Sequence, residues 1–262
     1  MESFIRYNGM RSPNKESVPL KYEDKVSIEL AIWEQRFTEA PGWLESTSKR
    51  IGERINHIIP AKVHNAITAA VKTIVRTALF GAEYTPKRDV LRISLEEADH
   101  IARKTLSLYK KIAAAEGAGT GAGGLLLNAV DFPALIAIKM KFLFELAHIY
   151  GFDTNHFAER IYILNIFQLA FSSKEQRRRL LKRLKRWETE KRQWPSETRF
   201  YQSMDWDLFQ KEYRDALDFR KMLQMVPGIG AVAGAWANYT ILEELGETAM
   251  NAFRMRRLPS AG

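Results

Sequence analysis

The sequence predicts an all-α fold, in the form of a compact bundle of several helices. Apolar residues recur at helical spacing through most of the chain, as in Val26, Leu30 and Trp33. No stretch combines alternating apolar and polar residues with an enrichment in β-branched side chains, so strands are not expected. The 262 residues, with 46% hydrophobic and 27% charged side chains, have the composition of a globular protein.

Prolines, glycines and capping residues divide the first half of the chain into four predicted helices. They cover residues 22–37, 44–59, 60–81 and 94–115. Pro41-Gly42 separates the first two helices, and Pro60 suits the first turn of the third, where an amide has no partner within the helix. The fourth helix starts at a capping box, in which Ser94 and Glu97 satisfy the first free amides.

Four further helices are predicted in the second half of the chain. They cover residues 133–150, 158–171, 174–193 and 222–257. Gly151 ends the first of these helices, because glycine accepts the left-handed conformation that commonly follows a helix. Asp131 is well placed to cap the helix that starts at Pro133. Ser173 caps the third helix, and Pro195 closes it.

Two glycine-rich segments without charged residues lie between these helices or at their ends. They are residues 117–124 and 226–238, and both place small residues four apart, which lets another helix approach closely. We expect two central helical segments that pack against each other, each with a polar anchor. The residues assigned to this packing, or to contact with lipid, are Gly117, Gly121, Gly124, Asp131, Gly230, Gly234 and Asn238.

Whether these segments enter a membrane is left open by the sequence. Residues 222–242 contain no charge and are about as long as a membrane span. Pro227, Gln224 and the interspersed glycines make this segment a weak span, and residues 117–130 are too few for one. A soluble core is favoured, with reversible insertion and a stable span as the alternatives.

The net charge of +9 is concentrated in one segment. Residues 174–193 hold ten Lys or Arg against three Glu, a balance of +7 that leaves +2 for the other 242 residues. Basic residues surround a narrow apolar stripe, which suits an anionic membrane surface. A plain solvated surface is the alternative, and nucleic acid is not expected because the rest of the chain is nearly neutral. The residues assigned to anionic contact are Arg177, Arg178, Arg179, Lys182, Arg183, Lys185, Arg186 and Trp187.

Several classes of site are disfavoured by the sequence. The chain has no cysteine, which excludes disulfides and thiolate zinc sites. Gly119, Gly121 and Gly124 match the dinucleotide-binding spacing, but the residues before them continue a helix, where that site needs a strand. We therefore expect no cofactor and no enzymatic activity. The chain starts without a secretory signal pattern, so a cytoplasmic location with peripheral membrane association is expected.

A metal-dependent enzyme is the alternative that two Glu-x-x-His motifs leave open. Glu97 with His100, and Glu145 with His148, each place two ligands on one helical face. Carboxylate-bridged di-metal bundles use two such motifs and one Glu from each of two further helices. The capping box already explains Glu97, and only Glu116 lies between the motifs as a further ligand. The four residues are therefore candidates and not assigned ligands.

The motifs, taken in order, resemble those of the EcsC family. They are Trp33-Glu34, the junction around Pro60, residues 116–124, Asp131, residues 145–151, residues 227–238 and residues 253–258. The similarity makes residues 21–258 one helical domain after a flexible polar leader over residues 1–20. Residues 174–198 form a basic insertion in that domain.

This resemblance implies a bacterial, largely helical protein with no established enzymatic activity, from a family named for its association with an ABC transporter operon. The expected function is that of a non-enzymatic accessory or scaffolding protein at the cytoplasmic face of a membrane. Its expected partner is an anionic membrane surface or a membrane-protein subunit. A purely soluble interaction module and a homo-oligomer stay open.

Overall fold

The computed structural model describes residues 20–39, 61–80, 85–86, 89–121, 128–172, 174–193, 199 and 231–259. Within these ranges the chain forms helices and no strands, which confirms the predicted all-α class. The helices are α1 (Tyr22–Glu39), α2 (Ala61–Phe80), α3 (Leu95–Gly121), α4 (Asn128–Ile149), α5 (Phe157–Phe171), α6 (Lys174–Lys185), α7 (Trp187–Glu190) and α8 (Ala231–Arg257). A 3₁₀ turn, Lys191–Gln193, follows α7. The predicted helix over residues 44–59 lies outside the described residues.

The two longest helices, α3 and α8, form the most extensive contact in the described part of the fold. Each has 27 residues, and they run antiparallel, since Asp99 meets Arg254 and Leu106 meets Gly246. A Cβ atom on Gly246 would lie only 2.5 Å from Cδ1 of Leu106. Glycine at this position therefore allows the two helix axes to approach closely.

Helix α5 forms the centre of the core. Its residues 160–171 are buried without interruption, as expected of a helix enclosed on all sides. Helices α2, α4, α6 and α8 pack around it. Because α5 is enclosed, the polar and charged groups that face solvent come from the helices around it.

Two local signals in the sequence are confirmed. The Oγ atom of Ser94 accepts a hydrogen bond from the amide of Glu97 at 3.1 Å, so Ser94 caps α3. Gly151 has a φ of 87° directly after α4, and its amide donates to the carbonyl of His148 at 3.1 Å. This glycine ends the helix in the left-handed conformation that other residues adopt only at a cost.

Three helix boundaries differ from the sequence prediction. Helix α3 continues to Gly121 and so includes the start of the first glycine-rich segment. Helix α4 begins at Asn128, which places Asp131 in its first turn; the prediction that Asp131 caps a helix starting at Pro133 is therefore wrong. The basic helix ends at Lys185, and the short α7 follows it after a break.

Among the described residues, none of the helices combines the length and the apolar character that crossing a membrane requires. Residues 222–230, the first part of the charge-free segment, lie outside the described residues.

Candidate functional site

A fully buried carboxylate, that of Asp99, lies in the interior between α1, α3 and α8. On α3 it shares a face with the apolar residues Leu95, Ala102 and Leu106, all of which are buried. The helix thereby directs a charged group into the core. Such burial is costly unless the carboxylate is paired and its oxygens accept hydrogen bonds.

Three side chains from distant parts of the chain supply these hydrogen bonds. The hydroxyl of Tyr22 donates to Oδ2 of Asp99 at 2.6 Å, and the hydroxyl of Tyr150 donates to Oδ1 at 2.5 Å. Arg254 donates to both oxygens, with Nη2 at 2.7 Å from Oδ2. The bidentate contact is the strongest geometry for such a pair. We call these four residues the Asp99 cluster.

Burial and the hydrogen bonds of the cluster together shift the pKa values of its members. Burial alone would raise the pKa of Asp99, but the hydrogen bonds from Arg254, Tyr150 and Tyr22 outweigh it and hold that pKa below its usual value. Burial and the carboxylate together raise the pKa of Tyr150. Asp99 is thus an enclosed carboxylate that is charged at neutral pH. Its arrangement suits a structural ion pair, since a general acid or base has to reach a substrate.

The other arginines at the end of α8 are also anchored. Arg256 donates to Glu159 at 2.8 Å and to Glu188 at 2.9 Å, while its guanidinium lies 3.9 Å from the ring centroid of Phe152. Arg257 donates to the carbonyls of Tyr150 and Ile93, at 3.0 and 2.7 Å. The last turn of α8 therefore ties together α3, α4, α5 and α7. The residues at 253–258 that carry the family resemblance hold the fold together.

The four candidate metal ligands do not form a site. Glu97 and His100 are exposed on α3, whereas His148 is buried, with its Nε2 atom 2.9 Å from Oγ1 of Thr154. Glu145 accepts a hydrogen bond from the hydroxyl of Tyr109 at 2.9 Å. In the described part of the chain, no three His, Asp or Glu side chains are grouped so that they could hold a metal ion.

The glycine-rich segments are described only in part. Gly117 and Gly121 lie in the last turns of α3, Gly234 and Asn238 in the first turns of α8, and Asp131 in the first turn of α4. Because α3 and α8 are antiparallel, their glycine-bearing ends lie at the same end of the pair. Gly124 and Gly230 lie outside the described residues. Contact between the two segments stays a prediction.

The basic helix α6 is divided sharply between core and solvent. Three leucines on its inner face are buried, namely Leu180, Leu181 and Leu184. Trp187, at the start of α7, is buried as well. Arg177 is also buried, with its guanidinium 4.7 Å from the ring centroid of Phe37 and 3.1 Å from that residue's carbonyl oxygen. The assignment of Arg177 and Trp187 to an anionic surface is therefore wrong in this fold. The remaining assigned residues are exposed: Arg178, Arg179, Lys182, Arg183, Lys185 and Arg186.

Sequence reasoning missed the Asp99 cluster, although one signal was present. Asp99 lies within the Glu97–His100 motif, and it is the charged residue of that motif that falls on the apolar face of α3. An acidic residue on an apolar face needs a partner, and that requirement could have singled it out. Nothing in the sequence identifies Arg254 as that partner.

Comparisons with known proteins agree with the resemblance carried by the motifs. The sequence profile of the EcsC protein family matches residues 24–258. The chain is similar to Protein EcsC of Bacillus subtilis (strain 168), with 45% identity over 227 residues, which are 86% of this chain and 92% of that protein. It is also similar to the uncharacterized protein YdbA of the same organism, with 31% identity over 170 residues, 65% of this chain and 61% of that protein. No solved structure matches the chain significantly.

Proposed function

The chain belongs to the EcsC protein family, and we propose that it is a non-enzymatic accessory or scaffolding protein that acts at the cytoplasmic face of a membrane. In this proposal the exposed basic face of α6 makes the contact. The observation that carries the proposal is the division of α6 into a face fixed in the core and a face of basic side chains in solvent.

The basic face is broad and continuous. At about 100° per residue, its members from Arg178 to Lys185 cover about 160° of the helix circumference. Within it, Lys185 pairs with Glu34 of α1, and Arg183 lies 3.5 Å from Oδ1 of Asn165. Four basic residues make no ion pair with any described residue: Arg178, Arg179, Lys182 and Arg186.

The buried stripe changes the kind of membrane contact that we propose. Because Leu180, Leu184 and Trp187 are in the core, they are not available to enter lipid. The attraction is then electrostatic, and basic residues near an anionic surface contribute about 1 kcal/mol each. Such an attraction weakens with salt, since the Debye length falls to about 3 Å at 1 M.

The interior of the fold supports a role without chemistry of its own. Buried ionic groups such as Asp99 and Arg254 bind one another and hold helices together. Near the end of α8, Arg256 binds Glu159 and Arg257 binds the carbonyl of Ile93. These buried polar interactions support the proposed scaffolding role.

Flotation with lipid vesicles tests the proposal. We expect the protein to float with vesicles that contain phosphatidylglycerol, to stay at the bottom with phosphatidylcholine alone, and to be released by high salt. The variant R178Q/R179Q/K182Q/R186Q should lose this binding. Its matched control is K72Q/R76Q/K104Q/K111Q, which removes four exposed positive charges from α2 and α3. Equal loss in both variants would contradict a contact located on α6.

The second proposed partner of the basic face is a subunit of a membrane protein. The family resemblance implies a link to an ABC transporter, and a subunit of such a transporter would be a partner of this kind. The proposal that lipid is the partner is wrong if the protein does not float with anionic vesicles. If it then binds native bacterial membranes but not protease-treated ones, with the same loss in the α6 variant, the partner is a membrane protein. If it binds neither, the role at the membrane is wrong, and a soluble interaction module is favoured.

A further inference from the structure

A groove opens between α1, α3 and α8, beside the Asp99 cluster. Its cavity has a volume of about 400 Å³. One face of each helix lines it, including Trp33 and Arg36 of α1, Arg103 and Leu106 of α3, and Met250 of α8. Cavities that hold small-molecule ligands in proteins have about this size.

The floor of the groove is apolar. Trp33, Leu106 and Met250 are each less than a tenth exposed, so they present packed hydrocarbon and aromatic surface. Ile32 lies at the edge and is 50% exposed. An apolar group placed on this floor would remove further hydrocarbon surface from water, which is favourable in proportion to the area covered.

Two arginines line the groove from different helices. Arg36 on α1 and Arg103 on α3 make no hydrogen bond or ion pair with any described residue, whereas Arg254 beside them is bound by Asp99. With respect to the described residues, the donors of these two guanidinium groups are therefore available. Guanidinium groups are frequent partners of carboxylate and phosphate groups.

The acidic residues of the lining do not cancel these two charges. Glu29 lies 3.9 Å from Nζ of Lys25 and 3.5 Å from Nη1 of Arg254, and Glu243 pairs with Lys110. Glu247 is the third, and burial raises its pKa, despite the opposing attraction of Arg36. Even when it is ionised, Glu247 offsets only one of the two arginines, so the lining groups that have no described partner keep one positive charge in excess.

We propose that this groove binds a single-chain anionic amphiphile, with its carboxylate or phosphate between Arg36 and Arg103 and its apolar body on Trp33, Leu106 and Met250. A small inorganic anion would leave the floor uncovered, and a neutral apolar molecule would leave the arginines without a counter-charge. This site is separate from α6, so the inference goes beyond the proposed function.

Calorimetric titration of the full chain with eight-carbon probes, below their micelle concentrations, tests the ligand class. Octanoate or octyl phosphate should bind at least about tenfold more tightly than octanol and octylammonium. Equal affinity for all four probes would overturn the role of the arginines. Inorganic phosphate that binds as tightly as octyl phosphate would overturn the role of the apolar floor.

Variants locate the binding. R36Q/R103Q should bind the anionic probes at least about tenfold more weakly, because each arginine supplies a charge-assisted hydrogen bond. The control R76Q/R92Q removes two exposed charges outside the groove and should bind as the wild type does. Ile32→Trp narrows the edge of the groove without altering a charge and should also weaken binding. Unchanged affinity in both R36Q/R103Q and Ile32→Trp would refute the site.

The source of the anionic group is decided by one further probe. Dihexanoyl phosphatidic acid that binds as tightly as octyl phosphate would overturn the single-chain ligand in favour of a membrane phospholipid, and exclusion of this two-chain probe would support a free single-chain amphiphile. R36Q/R103Q keeps the basic face of α6 and should float with anionic vesicles as R76Q/R92Q does. If the groove does not bind the anionic probes, the proposed function of α6 is unaffected. If the protein does not bind anionic vesicles through α6, the inference about the groove is likewise unaffected.

Discussion

The Nη2 atom of Arg254 lies 2.7 Å from Oδ2 of Asp99, although the two residues are 155 positions apart in the chain. Asp99 is completely buried, and Arg254 is only 6% exposed. The pair joins the first turns of α3 to the last turns of α8, and Tyr22 and Tyr150 bind the same carboxylate. One charged group therefore connects four segments of the fold.

Replacement of Asp99 by Asn should lower the free energy of unfolding by about 3 to 5 kcal/mol, because it leaves the buried guanidinium of Arg254 without its counter-charge. Urea unfolding followed by circular dichroism measures the change. Glu96→Gln removes an exposed carboxylate on the same helix and should change stability by less than about 0.5 kcal/mol. A loss in Asp99→Asn no larger than in this control would show that the pair is not structurally important.

Stability should fall steeply in acid, and Asp99 should account for part of the slope. Hydrogen bonds from Arg254, Tyr150 and Tyr22 hold the pKa of Asp99 below its usual value, although burial opposes them. Its contribution is therefore complete above the unfolded-state pKa of about 3.9 and is lost as the pH falls through the lower folded-state pKa. Urea midpoints measured between about pH 7 and pH 2 should decline more steeply below about pH 4 in the wild type than in Asp99→Asn. If the urea midpoints of the wild type and of Asp99→Asn decline in parallel as the pH falls, Asp99 does not contribute to the loss of stability in acid.

Gly246→Ala should destabilise the protein by about 1 to 3 kcal/mol, although alanine favours helices by up to about 1 kcal/mol over glycine. The added Cβ would lie 2.5 Å from Cδ1 of Leu106 and 3.2 Å from its Cγ, so the whole side chain of Leu106 would have to move. Thermal unfolding measures the effect.

A second variant separates crowding at this contact from any other effect of alanine. In the background of Leu106→Ala, which removes the clashing atoms, Gly246→Ala should be neutral or stabilising. If the two substitutions are simply additive, the contact between α3 and α8 is not the cause.

Replacement of Arg177 on α6 should lower the free energy of unfolding, whereas replacement of its neighbour Arg178 should leave it nearly unchanged. Arg177→Gln should cost about 1 to 3 kcal/mol, since it removes a buried hydrogen bond to Phe37 and an ion pair with Glu244 at 3.8 Å. Arg178→Gln should leave stability within about 0.5 kcal/mol of the wild type, because Arg178 is exposed. Urea unfolding of the two single variants compares them directly. Similar losses in both would contradict the division of α6 into two faces.

Local sequence signals predicted several elements closely. Helical spacing of apolar residues gave α1, α2 and α5 within a few residues, and the cap at Ser94 and the stop at Gly151 are both present. These features depend on residues close together in the chain. Short-range chemistry determines them, so a single sequence is sufficient to predict them.

Other features depend on contacts that spacing does not encode. The apolar stripe of α6 was evident, but a stripe of this kind suits lipid as well as a protein core, and only the packing of Leu180 and Trp187 shows which applies. Pro133 marked the start of α4 only approximately, since it lies five residues after Asn128. The partner of Asp99 is on a helix far along the chain, so neither periodicity nor a motif could identify it.

The position of Arg254 near the end of the last helix has a consequence for the order of folding. During synthesis, Asp99 emerges long before the residue that neutralises it, and so do Glu159 and Glu188 before Arg256. The ionic interior of the fold is therefore complete only once α8 has been made. Chains that terminate before Arg254 would keep an unpaired carboxylate facing the core. We expect such chains to fold poorly and to be degraded by proteases.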